Sequence, residues 1–225
     1  MRASLRLIGF LLPLLTFCLI VFILIGRTQP PPALIRQLHL TDCAMPCWIG
    51  ITPGATKAEM VNRYVMDTFD STNSRLSSSV PAYEWFTIVP LTQPARRGEG
   101  MPIQFGVNQG IVGEILIPAF FGSSTPDVTM PALGDMVNLL GAPSCVGSNS
   151  LPMSGRLSLF YTFDSTLLEI GLLNDDHPAW SDPIYFLSIR RNDLPNRVND
   201  CTWAGVALPA WAGLMDGRHY LKRFT

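Results

Sequence analysis

What this sequence lacks narrows its function first. It has no basic stripe: 16 Lys and Arg stand against 17 Asp and Glu, and only 15% of residues are charged. Nucleic-acid binding needs a basic footprint that replaces counterions along the phosphates, so no nucleic-acid partner is expected. The Gly-x-Ser-x-Gly, His-Glu-x-x-His, phosphate-loop and dinucleotide glycine patterns are absent. No Cys-x-x-Cys occurs, and His39, His177 and His219 are scattered, so a zinc site is not expected. No catalytic, cofactor-binding or metal residue is assigned from the sequence.

What is present starts with an uncharged apolar run from Leu7 to Ile25, with Arg2 and Arg6 before it and Arg27 after it. About 20 apolar residues span a hydrocarbon core, so the run is just long enough to cross a bilayer. A cleavable signal needs a shorter core and a small-x-small site, which Leu24-Ile25-Gly26-Arg27-Thr28-Gln29 does not offer. A lipoprotein signal would need a small residue before Cys18, where Phe17 stands. The run reads as an uncleaved single-pass anchor. Arg2 and Arg6 outweigh Arg27, which puts the N-terminus in the cytoplasm and the following domain outside it. The expected localisation is the cell membrane, with the bilayer as partner through Leu7 to Ile25.

Beyond the anchor, the 19 prolines and 18 glycines of the chain indicate a turn-rich domain. Four cysteines lie there: Cys43, Cys47, Cys145 and Cys201. An even count in an oxidising compartment reads as two disulfides, and all three pairings remain open.

Gln29-Pro-Pro-Pro32 is a stiff spacer. Residues 33–40 read as a short helix or irregular lead-in. Thr56-Lys57-Ala58-Glu59 fits a capping box, and Val61, Tyr64 and Val65 follow at helical spacing, which predicts a helix over 57–67. Residues 71–79 read as loop and 83–91 as strand. Residues 103–107 and 111–117 flank Asn108-Gln109-Gly110 as a hairpin. Leu133, Met136, Val137 and Leu140 predict a second helix, entered at Pro131 and stopped by Gly141 and Pro143. Residues 157–163 and 167–173 form a second hairpin about Asp164-Ser165-Thr166, and 184–190 a further strand. Residues 206–215 carry a helical pattern.

Two stretches recur. Ala58-Glu59-Met60-Val61-Asn62 matches Gly134-Asp135-Met136-Val137-Asn138, and Gln104-Phe105 through Glu114-Ile115 matches Leu159-Phe160 through Glu169-Ile170. The expected fold class is α+β: a transmembrane helix, then two units sharing one core, each a helix plus an antiparallel meander. The domains divide as 1–28 (cytoplasmic N-terminus and anchor), 29–42 (spacer), 43–200 (extracytoplasmic domain, units 43–127 and 128–200) and 201–225 (tail).

A capped helix, a loop and a three-stranded meander, twice over, resembles modules of the β-lactamase-inhibitor-protein type. Gly50-Ile-Thr-Pro-Gly54-x-Thr56-x-x-Glu59 and Leu139-Leu140-Gly141-Ala142-Pro143 are similar to how such modules open and close their helices. The string Pro-Cys-Trp-x-Gly-Ile-x-Pro-Gly-x-Thr from Pro46 also resembles membrane-anchored proteins of unknown function. The resemblance covers residues 46–190. It implies a binding module in an envelope setting and carries over no catalytic residue.

The candidate binding face consists of Tyr83, Trp85, Phe105 and Phe160, aromatics alternating with smaller or polar residues. Asn174-Asp175-Asp176-His177 with Asp182 is the densest polar cluster, but it lacks the Asp-x-Asp-x-Asp-Gly calcium loop and reads as a solvated connection. The expected function is non-catalytic binding of an unknown protein or envelope ligand. A structural envelope component and an envelope hydrolase of unrecognised type are the alternatives.

Overall fold

The computed structural model describes residues 11–22, 24, 30–69, 72–75, 84–90, 103–118, 130–149, 156–172, 178–192, 198–199, 201–203 and 206–211. The chain divides into two compact bodies, Met1–Ala33 and Leu34–Thr225. In the first, residues 11–22 form helix α1, whose side chains are almost all exposed. Among the described residues no helix is long and apolar enough to cross a membrane. The rest of the Leu7 to Ile25 run, apart from Leu24, lies outside them.

The second body is α+β. Helices α2 (Ala33–Gln37), α3 (Ala58–Thr68) and α4 (Leu133–Leu140) accompany strands β1 (Thr72–Arg75), β2 (Glu84–Pro90), β3 (Ile103–Asn108), β4 (Ile111–Pro118), β5 (Cys145–Asn149), β6 (Arg156–Phe163), β7 (Thr166–Leu172) and β8 (Ile184–Arg191). These strands make one antiparallel sheet in the order β1-β2-β3-β4-β8-β7-β6-β5. The short strands β9 (Val198–Asn199), β10 (Thr202–Trp203) and β11 (Val206–Ala207) form a second, smaller sheet. Each main helix thus precedes a meander of four strands, not the expected three. The added strands, β1 and β5, are the two edges.

Alternation of side chains gives the large sheet two unlike faces. Phe105, Ile115, Ile189, Leu168 and Tyr161 follow one another across paired strands on one face. All five belong to the main core, with Val61 and Val65 of α3, Leu133 and Met136 of α4, and Trp48. Trp48 is fully buried and its indole N–H donates to the Leu38 carbonyl at 2.8 Å. Each helix therefore buries one apolar stripe against the sheet, which neither could do alone.

The helix starts are not held by side-chain caps. Neither Lys57 nor Ala132 at the N-cap makes a side-chain hydrogen bond, and the Thr56 hydroxyl instead accepts from the Thr52 N–H at 2.9 Å. Backbone from elsewhere satisfies the free amides. Ala58 N–H donates to the Gly110 carbonyl at 2.9 Å, and Leu133 N–H to the Asp182 carbonyl at 2.8 Å. Isolated bridges Lys57–Ile111 and Ala132–Pro183 flank these bonds. Each helix is thus pinned to the turn that opens the fourth strand of its own meander.

This correspondence extends through the registers. β3 and β4 slip between Gly106 and Val107, which leaves Gly113 as an extra residue. β7 and β8 slip between Gly171 and Leu172, which leaves Tyr185 extra. Both bulges place a glycine opposite the residue that follows the extra one: Gly106 opposite Glu114, Gly171 opposite Phe186. At the centre, Glu114 pairs with Arg190, Leu116 with Ser188 and Pro118 with Phe186. Exchanging β4 for β8 turns the first pair into the third and leaves Leu116–Ser188 in place. The backbone pairing of the two halves is related by a pseudo-dyad through that pair.

This equivalence corrects the one expected from short strings. Hairpin β3–β4 corresponds to β7–β8, not to β6–β7. Ala58 corresponds to Leu133, one residue from the string match with Gly134. Phe105 and Phe160 are not equivalent, nor are Glu114 and Glu169. The strings share helix-forming and strand-forming residue types, which recur by chance, whereas the equivalence lies in hydrogen-bond register.

A Cβ added at Gly171 would sit 1.9 Å from a ring carbon of Phe186. Gly171→Ala is expected to cost about 1–3 kcal/mol by overpacking. Adding Phe186→Leu should recover most of that loss in urea unfolding. Additive losses in the double variant would contradict the clash.

Candidate functional site

Among the described residues of the folded body, two places combine shape with polar or apolar chemistry. The first is an open groove of about 500 Å³ lined by Leu40, Thr41, Asp42, Cys43, Ala44, Met45, Leu139, Leu140 and Phe163. It forms where the Cys43–Cys47 loop meets the C-terminal turn of α4. The loop is fixed by its disulfide, with Cα atoms 5.7 Å apart. The neighbouring turn is tight: Trp48 and Ile51 exchange backbone bonds of 2.9 and 2.7 Å around Ile49 and Gly50. Ile49 has φ +45, a strained value for a β-branched residue, and Gly50 has φ +83. α4 stops at Gly141, φ +81, whose carbonyl accepts from the Tyr161 hydroxyl at 3.2 Å. Burial pushes the Tyr161 phenol far above its usual range, so it stays a donor. His39 Nδ1 and Asp42 Oδ2, 2.6 Å apart, sit at one end of the loop. The groove offers apolar side chains with one carboxylate at its margin, a surface suited to an apolar segment carrying a polar end.

The second place is a polar network on the sheet face opposite the helices. Ser158 and Ser188 hydroxyls donate to Glu169 Oε1 and Glu114 Oε1 respectively, each at 2.8 Å. Arg190 Nη2 lies 3.2 Å from Glu169 Oε2. Ser158, Glu169 and Ser188 are all buried. Burial raises the Glu169 carboxyl above the usual glutamate range; Arg190 and the Ser158 hydrogen bond pull it back, and the Glu114 charge adds to the rise. Glu169 is almost fully buried, whereas Glu114 and Arg190 are only partly so, and the network joins a buried carboxylate to groups that reach the surface of this face.

The expected site residues are placed as follows. Cys43 bonds Cys47, and Cys145 bonds Cys201 with Cα atoms 5.5 Å apart. Cys18, in α1, is free and exposed. Phe105 and Phe160 are both fully buried. Phe105 belongs to the helix-side core, 6.2 Å from Trp48, while Phe160 packs with Cys145, Leu167 and Leu208 on the other face. The structure does not bring these two together. Trp85 lies on β2 opposite Gly106, and Tyr83 is outside the described residues. Of the acidic cluster at 174–177 and 182, only Asp182 is described; it accepts from the Ala179 N–H at 2.6 Å. Among the described residues no group of three or more His, Cys, Asp or Glu could hold a metal ion.

Sequence reasoning missed both the groove and the network. The network had a visible signal: Glu169 and Ser158 interrupt otherwise apolar strands, in Leu-Leu-Glu-Ile and Leu-Ser-Leu-Phe.

No family model matches the chain, and no curated protein does. In solved structures the chain is similar to a DUF4309 family protein from Bacillus subtilis, at 13% identity and a TM-score of 0.42, covering 70% of this chain and 95% of that one. The family is of unknown function, and a likeness this loose carries no argument about activity.

Because the Glu169 pKa is raised in the folded state, its contribution to stability is fully present below the ordinary glutamate range and is lost as pH rises through the folded value. Compared with Glu169→Gln, the unmodified protein should therefore gain stability as pH falls from neutral to mildly acid. Urea unfolding at a series of pH values measures this. A difference between the two proteins that does not change with pH would contradict it.

Proposed function

We propose that the chain is a single-pass, N-terminally anchored, extracytoplasmic protein whose folded body binds a protein or envelope ligand without catalysis. The groove beside the Cys43–Cys47 disulfide carries the binding half of this reading, because it joins a mixed lining of apolar and polar groups to a cross-linked rim. The anchor half is supported by α1, where Leu12, Phe17 and Phe22 are 65%, 64% and 72% exposed. Apolar side chains in that density are costly in water and at home in a bilayer. Two disulfides fit an oxidising compartment. The register-related halves support descent from one helix-plus-meander module.

Two experiments test the halves separately. A reporter active only outside the cytoplasm, fused after Thr225, is expected to be active, and a cytoplasmic reporter at the same place silent; the opposite pattern sinks the anchor reading. A photo-crosslinking residue at Leu139 should give a discrete adduct in cells, whereas one at the exposed Asn62 should not. Equal behaviour at the two positions would contradict a role for the groove.

A further inference from the structure

The two disulfides differ in the properties that govern thiol exchange. Cys43 and Cys47 are both part-exposed, whereas Cys145 is fully buried. The Cys43–Cys47 bridge spans a sequence separation of 4, against 56 for Cys145–Cys201. A cross-link over so short a loop removes little entropy from the unfolded chain, so it stabilises the fold less. Cys145 packs in the small second-face cluster, while neither Cys43 nor Cys47 belongs to a core cluster.

The loop that carries the short bridge is also held by bonds that do not involve the sulfurs. Before it, Leu40 N–H donates to the Ile35 carbonyl at 3.2 Å; after it, Trp48 N–H donates to the Ile51 carbonyl at 2.9 Å. Between the two cysteines, Cys47 N–H donates to the Ala44 carbonyl at 3.1 Å. Leu40 and Trp48 are both buried in the main core. His39, with φ +54, and Ile49, with φ +45, stand on either side of the loop. Such left-handed residues persist only where their surroundings fix them. Opening the sulfur–sulfur bond therefore leaves Cys43 and Cys47 close together.

This loop forms one wall of the groove. Cys43 is among the lining residues and Cys47 is not. Asp42, next to Cys43, is the one charged residue of the described lining, and Leu139, Leu140 and Phe163 are its apolar part on the other side. We infer that the groove takes a protein segment with a free thiol flanked by apolar residues and a basic one, and joins it reversibly to Cys43 as a mixed disulfide. The inference rests on the groove being the binding site. A basic neighbour complements Asp42 and also favours the thiolate, the attacking species. The partner's thiolate attacks Cys43 Sγ, the Cys43–Cys47 bond breaks, and Cys47 leaves and takes up the proton that the partner's thiol gave up. One disulfide replaces another, so no oxidant or reductant is consumed. Cys47, held close by, reverses the step and releases the partner. The result is covalent binding without catalysis.

The test uses the full oxidised chain in detergent and two synthetic peptides. One has a single cysteine flanked by leucines and a lysine; the other has serines and an aspartate in their place. An alkylating reagent caps Cys47 as it is freed, and mass spectrometry locates the peptide. Each rate is divided by that peptide's rate with a small-molecule disulfide, which removes the intrinsic reactivity of its thiol. The first peptide should join Cys43 at least about tenfold faster than the second on this scale, and Leu139→Ser should remove most of the preference. Equal normalised rates, or adducts on Cys47 or Cys201 in place of Cys43, would overturn the inference. If the Leu139 photo-adduct still forms in cells, the groove remains a binding site and only the covalent step is lost; if it does not, both readings fall.

Discussion

The fold depends on one pairing, that of β4 with β8 about Leu116 and Ser188. Each strand is the last of its own meander, and each is buried in the middle of the sheet only because the other is there. Without the partner, four strands and one short helix would present an unpaired edge next to their most apolar residues. With it, Ile115, Ile117, Leu187 and Ile189 become the continuous floor on which α3, α4 and Trp48 rest. The helix starts follow from the same pairing, since the turns before β4 and β8 supply the carbonyls that Ala58 and Leu133 need.

The two faces of that sheet take different roles. One is covered by helices and is apolar. The other carries Glu114, Arg190, Ser188, Glu169 and Ser158 across four adjacent strands. These residues break the pseudo-dyad: Glu114 corresponds to Phe186, and Arg190 to Pro118. A buried ion pair is weak evidence for stability, because desolvation offsets most of its attraction. Its effect here is specificity of register, since a one-residue slip of β7 would carry Glu169 into the helix-side core.

Much of this was legible from the sequence. Val61 and Val65, and Leu133 and Met136, mark the helices by their spacing, and Gln109-Gly110 marks the first hairpin turn, with φ +52 and +75. The edges were not legible. β1 reads Thr-Asn-Ser-Arg and β5 reads Cys-Val-Gly-Ser-Asn, strings with weak strand preference that are strands because a neighbour offers its hydrogen bonds. Gly147 in β5 looks like a turn signal, yet its lack of a Cβ makes room for the Phe160 ring, which a Cβ would meet at 2.6 Å. The capping box at Thr56 and Glu59 misled for a related reason: tertiary carbonyls reached the free amides first. The groove brings Phe163, Leu139 and Met45, from three separate parts of the chain, to one surface, a juxtaposition that no local pattern encodes.

If the β4–β8 pair makes one cooperative body from two halves, opening either half must open both. Native-state hydrogen exchange in increasing urea measures this at the slowest amides of β3 and β7, one strand from each half. The account predicts that both sets exchange through a single opening, with the same free energy and the same dependence on urea. A β7 or β3 set that opens at clearly lower free energy, with a shallower urea dependence than the other, would contradict it.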